Sequence, residues 1–144
     1  MRTSLALSLA ALLLACSPLT LAAGNAVSVS DAWVAEGAPD AKALNAYMTL
    51  HNASDGNVAV IGASTPAAER VELHRAALKS QVLGIERSHK LIIPAGLDVR
   101  LQSKGLHFSL VNPKRQLNAG DTVDIVLQLD NGDRLDVSAE VRRR

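Results

Sequence analysis

The chain is poor in the residues that build covalent, soft-metal or stacking sites. Its 144 residues hold one cysteine, Cys16, so no intramolecular disulfide can form and no framework of thiolate ligands exists. Methionine is almost as scarce: Met1 starts the chain, and Met48 is the only other thioether. Three aromatics, Trp33, Tyr47 and Phe108, are too few for a surface that stacks bases. Neither sign of charge dominates, since the formal net charge is +1 and removing Arg2 leaves basic and acidic residues equal. The one basic cluster, Arg142-Arg143-Arg144, reads as a solvated terminus, and nucleic acid is excluded as a partner. Motifs of catalysis are missing as well. There is no Gly-x-Ser-x-Gly, no phosphate-cradling glycine loop, no His-Glu-x-x-His and no marked nucleophile–base pair, so the chain is not expected to be an enzyme.

What is present begins with an address. Residues 1–23 have the form of an export signal, with Arg2 as its positive end and an apolar run, Leu5 to Ala15, too short to span a bilayer. Small residues at Ala22 and Ala23 offer a cleavage site. Leu13-Leu14-Ala15-Cys16 also fits a bacterial lipobox, in which the signal ends before Cys16, and membrane attachment would then come only through lipidation of that cysteine. Both routes export the protein, and the periplasm is the expected compartment. Residues 24–144 make one domain, long enough to bury a core.

Beyond the signal, short apolar runs alternate with turn residues, the pattern of an all-β sandwich. Strands are expected over 26–34, 45–51, 58–61, 82–89, 97–101, 106–111, 122–129 and 135–141. Asp130-Asn131-Gly132-Asp133 between two alternating runs marks a hairpin, expected as a type I′ turn. Residues 67–80 are ambiguous: Ala, Glu, Arg and Leu favour helix by propensity, while Val71 and Leu73 alternate with Glu72 and His74 as in a strand. The architecture read from these patterns is an antiparallel Greek-key β-sandwich.

Four histidines carry the remaining chemical signal. His51 and His89 read as surface residues, whereas His74 and His107 sit within apolar alternation. A lone histidine in such a run is more often a hydrogen-bonded structural residue than a ligand.

The segments Asp31-Ala32-Trp33-Val34, Ala46-Tyr47-Met48-Thr49-Leu50-His51-Asn52, Val71-Glu72-Leu73-His74, Ile93-Pro94-Ala95-Gly96, Gly105-Leu106-His107 and Leu117-Asn118-Ala119-Gly120-Asp121 change that balance. In this order they resemble the periplasmic copper chaperone family PCuAC. The resemblance implies a cupredoxin-like fold, an extended segment around His74, and Cu(I) held by the pattern His-x10-Met-x21-His-x-Met. His74 and His107 fall on the two histidine positions, but Ile85 and Ser109 stand at the two methionine positions. Imidazole without thioether suits Cu(II) and zinc as well as Cu(I). A third donor would have to come from elsewhere, with Ser109, Glu86, His89, Glu72 and Met48 as candidates. The resemblance further implies a monomer that exchanges copper with the assembly machinery of the cytochrome c oxidase copper centre. The alternative is an interaction module that keeps the fold and binds Cu(II), Zn(II) or no metal.

Overall fold

Apolar residues at alternate positions dominate from Val27 onward, and the computed structural model, which describes residues 24–79 and 82–143, arranges them in ten strands with no helix among the described residues. These are β1 (Val27–Ala35), β2 (Ala43–Asn52), β3 (Val58–Ser64), β4 (Ala68–Lys79), β5 (Val82–Ser88), β6 (Leu91–Ile93), β7 (Asp98–Leu101), β8 (His107–Pro113), β9 (Thr122–Leu129) and β10 (Arg134–Arg142). The expected signal, 1–23, lies outside the described residues.

The strands follow the path β5-β4-β8-β2-β1-β10-β9-β3-β6, with β7 paired to β2. Every pairing is antiparallel except β1 with β10, which run parallel. The result is a cupredoxin-like β-sandwich. Inward side chains of both halves form one core, including Leu50, Ile93, Leu110, Ile125 and Leu127. Strand β10 shows the cause most clearly. Leu135, Val137, Ala139 and Val141 are buried while the residues between them are exposed, so each second position faces the core.

Residues 67–80 resolve against helix propensity. From Ala68 to Lys79 the chain is a strand, paired with β5 on one side and β8 on the other. Leu73 is buried and Val71 packs against the core, which a helix could not achieve while supplying hydrogen bonds to two neighbours. Local propensity loses to tertiary pairing. The short strand β6 was not expected from the sequence, because three residues before the Ile93-Pro94-Ala95-Gly96 turn are too few to show alternation.

The Asp130–Asp133 hairpin forms, but not as a type I′ turn. Among these residues only Gly132 has positive φ, at 90°, and Leu129 pairs with Asp133 across a three-residue loop. This is the turn that ends in a left-handed bulge residue, where glycine is the residue of least strain. Asn52 anchors another junction from a fully buried position. Its side-chain amide donates to the carbonyls of Gly56 (2.8 Å) and Ile93 (2.9 Å), and its side-chain oxygen accepts from the Ser54 amide (3.0 Å) and hydroxyl (2.7 Å).

One irregularity prepares the candidate site. The β1–β2 register shifts between Ser30 and Trp33, and Asp31 takes a φ of 47°. This bulge inserts one residue, so Val27 and Val34 both reach the core although their parity differs. It also puts Trp33 opposite Tyr47, on the outer face of the sheet.

Candidate metal centre

Strand parity decides which side chains share this outer face. On β8, Phe108 and Leu110 enter the core, so His107 and Ser109 point the other way. On β4, Leu73 is inward and Glu72, His74 and Ala76 are outward. The β4–β8 register then sets His74 directly opposite His107 and Glu72 opposite Ser109. The β4–β5 register sets Arg87 opposite His74 and Ile85 opposite Ala76. Two histidines separated by 32 residues are thus cross-strand neighbours. Their ring centroids are 5.6 Å apart with planes at 82°. An imidazole nitrogen holds a transition metal at about 2.0–2.1 Å, so two rings on one ion have centroids no more than roughly 6 Å apart. The pair fits within that limit.

Hydrogen bonding assigns the ring nitrogens. Nε2 of His74 lies 2.9 Å from the Glu72 carboxylate, and Nδ1 of His107 lies 3.1 Å from the Gly105 carbonyl. Both oxygens can only accept, so His74 carries its proton on Nε2 and His107 on Nδ1. In the neutral rings the lone pairs are on Nδ1 of His74 and Nε2 of His107. A ring N–H bonded to carboxylate or carbonyl is the usual support of a metal-binding histidine, orienting the ring and raising its basicity.

Glu72 is itself held tightly. Arg70 Nε (2.7 Å) and Arg87 (2.6 Å) both contact its Oε1, while His74 contacts Oε2. The Arg70 hydrogen bond, then that of His74, then the charges of Arg87 and Arg70, pull its carboxyl from 4.5 down to about 2 against an opposing effect of burial. The carboxylate therefore stays ionised beside His74.

An aromatic row continues the pair across the sheet. Trp33 and Tyr47 have centroids 4.7 Å apart, and Tyr47 and His107 6.3 Å. Neighbouring rings thus cover His107, which is only 6% exposed although it lies on the outer face. The loop between β7 and β8 completes the rim. Lys104 there adopts a φ of 64°, and Ser103 and Lys104 line an open depression of about 490 Å³ with His74, His107, Ile85 and Ser109.

The other candidate donors fare differently. Ser109 lines the depression beside His107, 2% exposed. Ile85 is on its lip, 66% exposed, and offers no donor. Glu86 is opposite Arg75 and so lies on the other face from Ile85. His89 follows the end of β5 and lines a separate cavity with Ile61 and Ser88. Met48 is 1% exposed within the core cluster, on the inward face of β2. Neither Glu86, His89 nor Met48 is brought to the histidine pair. Among the described residues no three His, Cys, Asp or Glu are grouped to hold a metal. His51 is an outward residue of β2 bonded to Asp98 at 2.6 Å.

Sequence reasoning had placed Glu72 only among candidate ligands, and its hydrogen bond to His74 is the finding that gives it a supporting role. The two-residue spacing of Glu72 and His74 was the available signal, since i and i+2 share a face of a strand. The Trp33–Tyr47 contact had no such signal, because it depends on the β1 bulge, and Tyr47 meets His107 only through the β2–β8 register.

Residues 27–141 match a family model described as "Putative lipoprotein LpqE-like". The chain belongs to this family, within the PCuAC proteins. A protein of Leifsonia xyli subsp. xyli described as "Putative lipoprotein Lxx21020" is 29% identical over 119 residues, 82% of this chain and 70% of that protein. Two solution structures of DR1885 from Deinococcus radiodurans are also similar. The apo form is 32% identical, covers 100% of this chain and 97% of its own, and superposes with a TM-score of 0.64. The Cu(I) form is 37% identical, covers 77% of this chain and 74% of its own, also at 0.64. The copper-bound PCuAC domain of PmoF2 superposes at 0.72 over 83% of this chain and 95% of its own, but at 18% identity it speaks to the fold alone. The lipoprotein relatives point to an exported protein.

Proposed function

We propose that this LpqE-like protein is a periplasmic copper-binding protein that holds the metal at His74 and His107 and passes it on by ligand exchange. The observation that carries this reading is the direct opposition of the two histidines on one face, each with its second ring nitrogen bonded to an acceptor. His74 would bind through Nδ1 and His107 through Nε2, while Glu72 and the Gly105 carbonyl keep the rings oriented. The Cu(I) form of the similar DR1885 supports the metal assignment. Binding and release, with no bond made or broken in a substrate, is the function, and delivery to the copper centre of cytochrome c oxidase is the destination we assign. The domain spans residues 24–144 and acts as a monomer, tethered to a membrane only if Cys16 is lipidated.

A second reading has its own observation. Ile85 and Ser109 occupy the positions at which the resemblance expects thioethers, and nitrogen donors alone do not discriminate Cu(I) from Cu(II) or Zn(II). A protein with this site would serve as a Cu(II)- or Zn(II)-binding module.

Anaerobic titration of the purified protein with Cu(I) against a chromophoric chelator, followed by Cu(II) and Zn(II) in the same format, separates the two. Stoichiometric Cu(I) binding that a His74→Ala/His107→Ala variant loses is the expected outcome. Binding of Cu(II) or Zn(II) alone establishes the second reading. Failure to bind any of the three metals eliminates both.

A further inference from the structure

The depression beside the histidines is larger than two imidazoles require. Its volume is about 490 Å³; Ala76 and Gly84 line it beside Ile85, which is exposed, while Asn45, Ser103 and Lys104 are polar residues of the same lining. Two nitrogens leave a soft metal short of donors, and the described residues group no third His, Cys, Asp or Glu with them. The nearest sulfur in sequence to this face, Met48, is turned into the core. The site is therefore preorganised but incomplete, and what it lacks is matched by the room beside it.

We infer that the coordination sphere is completed in trans by a methionine side chain of the polypeptide that exchanges copper with this protein. This rests on the copper reading above. An unbranched thioether suits the cavity on two counts. Its aliphatic stem would lie against Ile85 and the adjoining Ala76, removing exposed apolar surface from water. Its sulfur is neutral, so it adds no second carboxylate beside Glu72, whose oxygens already face Arg70, Arg87 and His74. The consequence is a chaperone that holds copper weakly alone and firmly only while docked, with release following when the partner's thioether withdraws.

The test uses the purified protein, Cu(I), and the peptide acetyl-Gly-Gly-Met-Gly-Gly-amide, with norleucine and histidine peptides as controls. The methionine peptide should tighten apparent Cu(I) affinity by about tenfold or more, while the norleucine peptide leaves it unchanged. The peptide's S-methyl resonance should shift only when Cu(I) is present, with cross-relaxation to the Ile85 methyls. An Ala76→Leu variant, which fills the cavity and keeps both histidines, should lose the enhancement and retain the weak binding. Ile85→Met/Ser109→Met supplies thioethers within the chain and should bind tightly without peptide. If that variant binds Cu(I) tightly while the peptide never tightens wild type, trans completion is wrong and the copper reading stands. Equal enhancement by norleucine reduces the cavity to an apolar contact, and enhancement by the histidine peptide alone replaces the thioether; each overturns the proposal. Should neither wild type nor the double variant bind Cu(I), the copper reading itself fails.

Discussion

Glu72 shows how one side chain decides the state of another. Its carboxylate accepts from His74, and two arginines keep it charged. With a folded value of about 2 against an ordinary 4.5, Glu72 stabilises the fold fully above pH 4.5, and that contribution disappears as pH falls towards 2. Glu72→Gln should therefore flatten the acid limb of a stability–pH profile between those values, measured by denaturant midpoints in buffers spanning the window. The same variant should weaken metal binding by about 10–100-fold, because the ring of His74 loses a charged acceptor. Unchanged acid sensitivity would mean that other carboxylates, not Glu72, set the profile. At this scale His74 and His107 were legible as candidates only through the family resemblance, since their place in apolar runs by itself favoured structural histidines. Their partners were only half legible: spacing pointed to Glu72, but nothing local pointed to the Gly105 carbonyl or to Arg87, which arrives from another strand.

At the scale of elements, β8 is the support on which the candidate site depends. It lies between β4 and β2, its first four residues are buried, and Leu110 on its inward face is 0% exposed, opposite Val71 and Leu44. Leu110→Ala should cost about 2–5 kcal/mol through lost burial and the cavity left behind, read from chemical denaturation. A cost below about 1 kcal/mol would show that the two sheet halves can close over the space. Strands with clean alternation, such as β9 and β10, were readable because one face is buried and the other wet. Strand β4 was not readable from propensity, since Ala, Glu and Arg are helix formers; the family resemblance implied it extended, and pairing with its two neighbours holds it so. The β9–β10 turn was placed correctly but its type was not, because positive φ falls on Gly132 alone. The β1 bulge at Asp31 was invisible; in the fold the Asp31 side chain meets Arg142 at 3.0 Å on the surface.

Across the whole molecule, β10 closes the sandwich. Among the described strands it pairs with both β1 and β9, and so joins, by ladder hydrogen bonds, the half that carries the histidines to the half that ends in β6. A chain truncated after Asp133 should lose its cooperative thermal transition in far-ultraviolet circular dichroism and bind no metal, although every residue of the candidate site remains. Retention of a sharp transition would mean that the β5-β4-β8-β2-β1 half folds without its partner. Alternation could not reveal the parallel β1–β10 pairing, since periodicity reports the face of a strand and not the direction of its neighbour.

Alternation of apolar residues and turn chemistry determined that the chain is an all-β domain; the ordered run of short motifs gave its resemblance to copper chaperones, with His74 and His107 on the histidine positions of that family and Ile85 and Ser109 on its methionine positions. Those properties are local: they depend on which residue stands where, and no contact is needed to read them. Register, the β1 bulge, the fixed tautomers of His74 and His107 and the open space beside Ile85 were decided only by the tertiary structure. Each requires strands distant in sequence to meet with a particular offset, and a shift of one residue in β4 against β8 would have turned His74 into the core and away from His107.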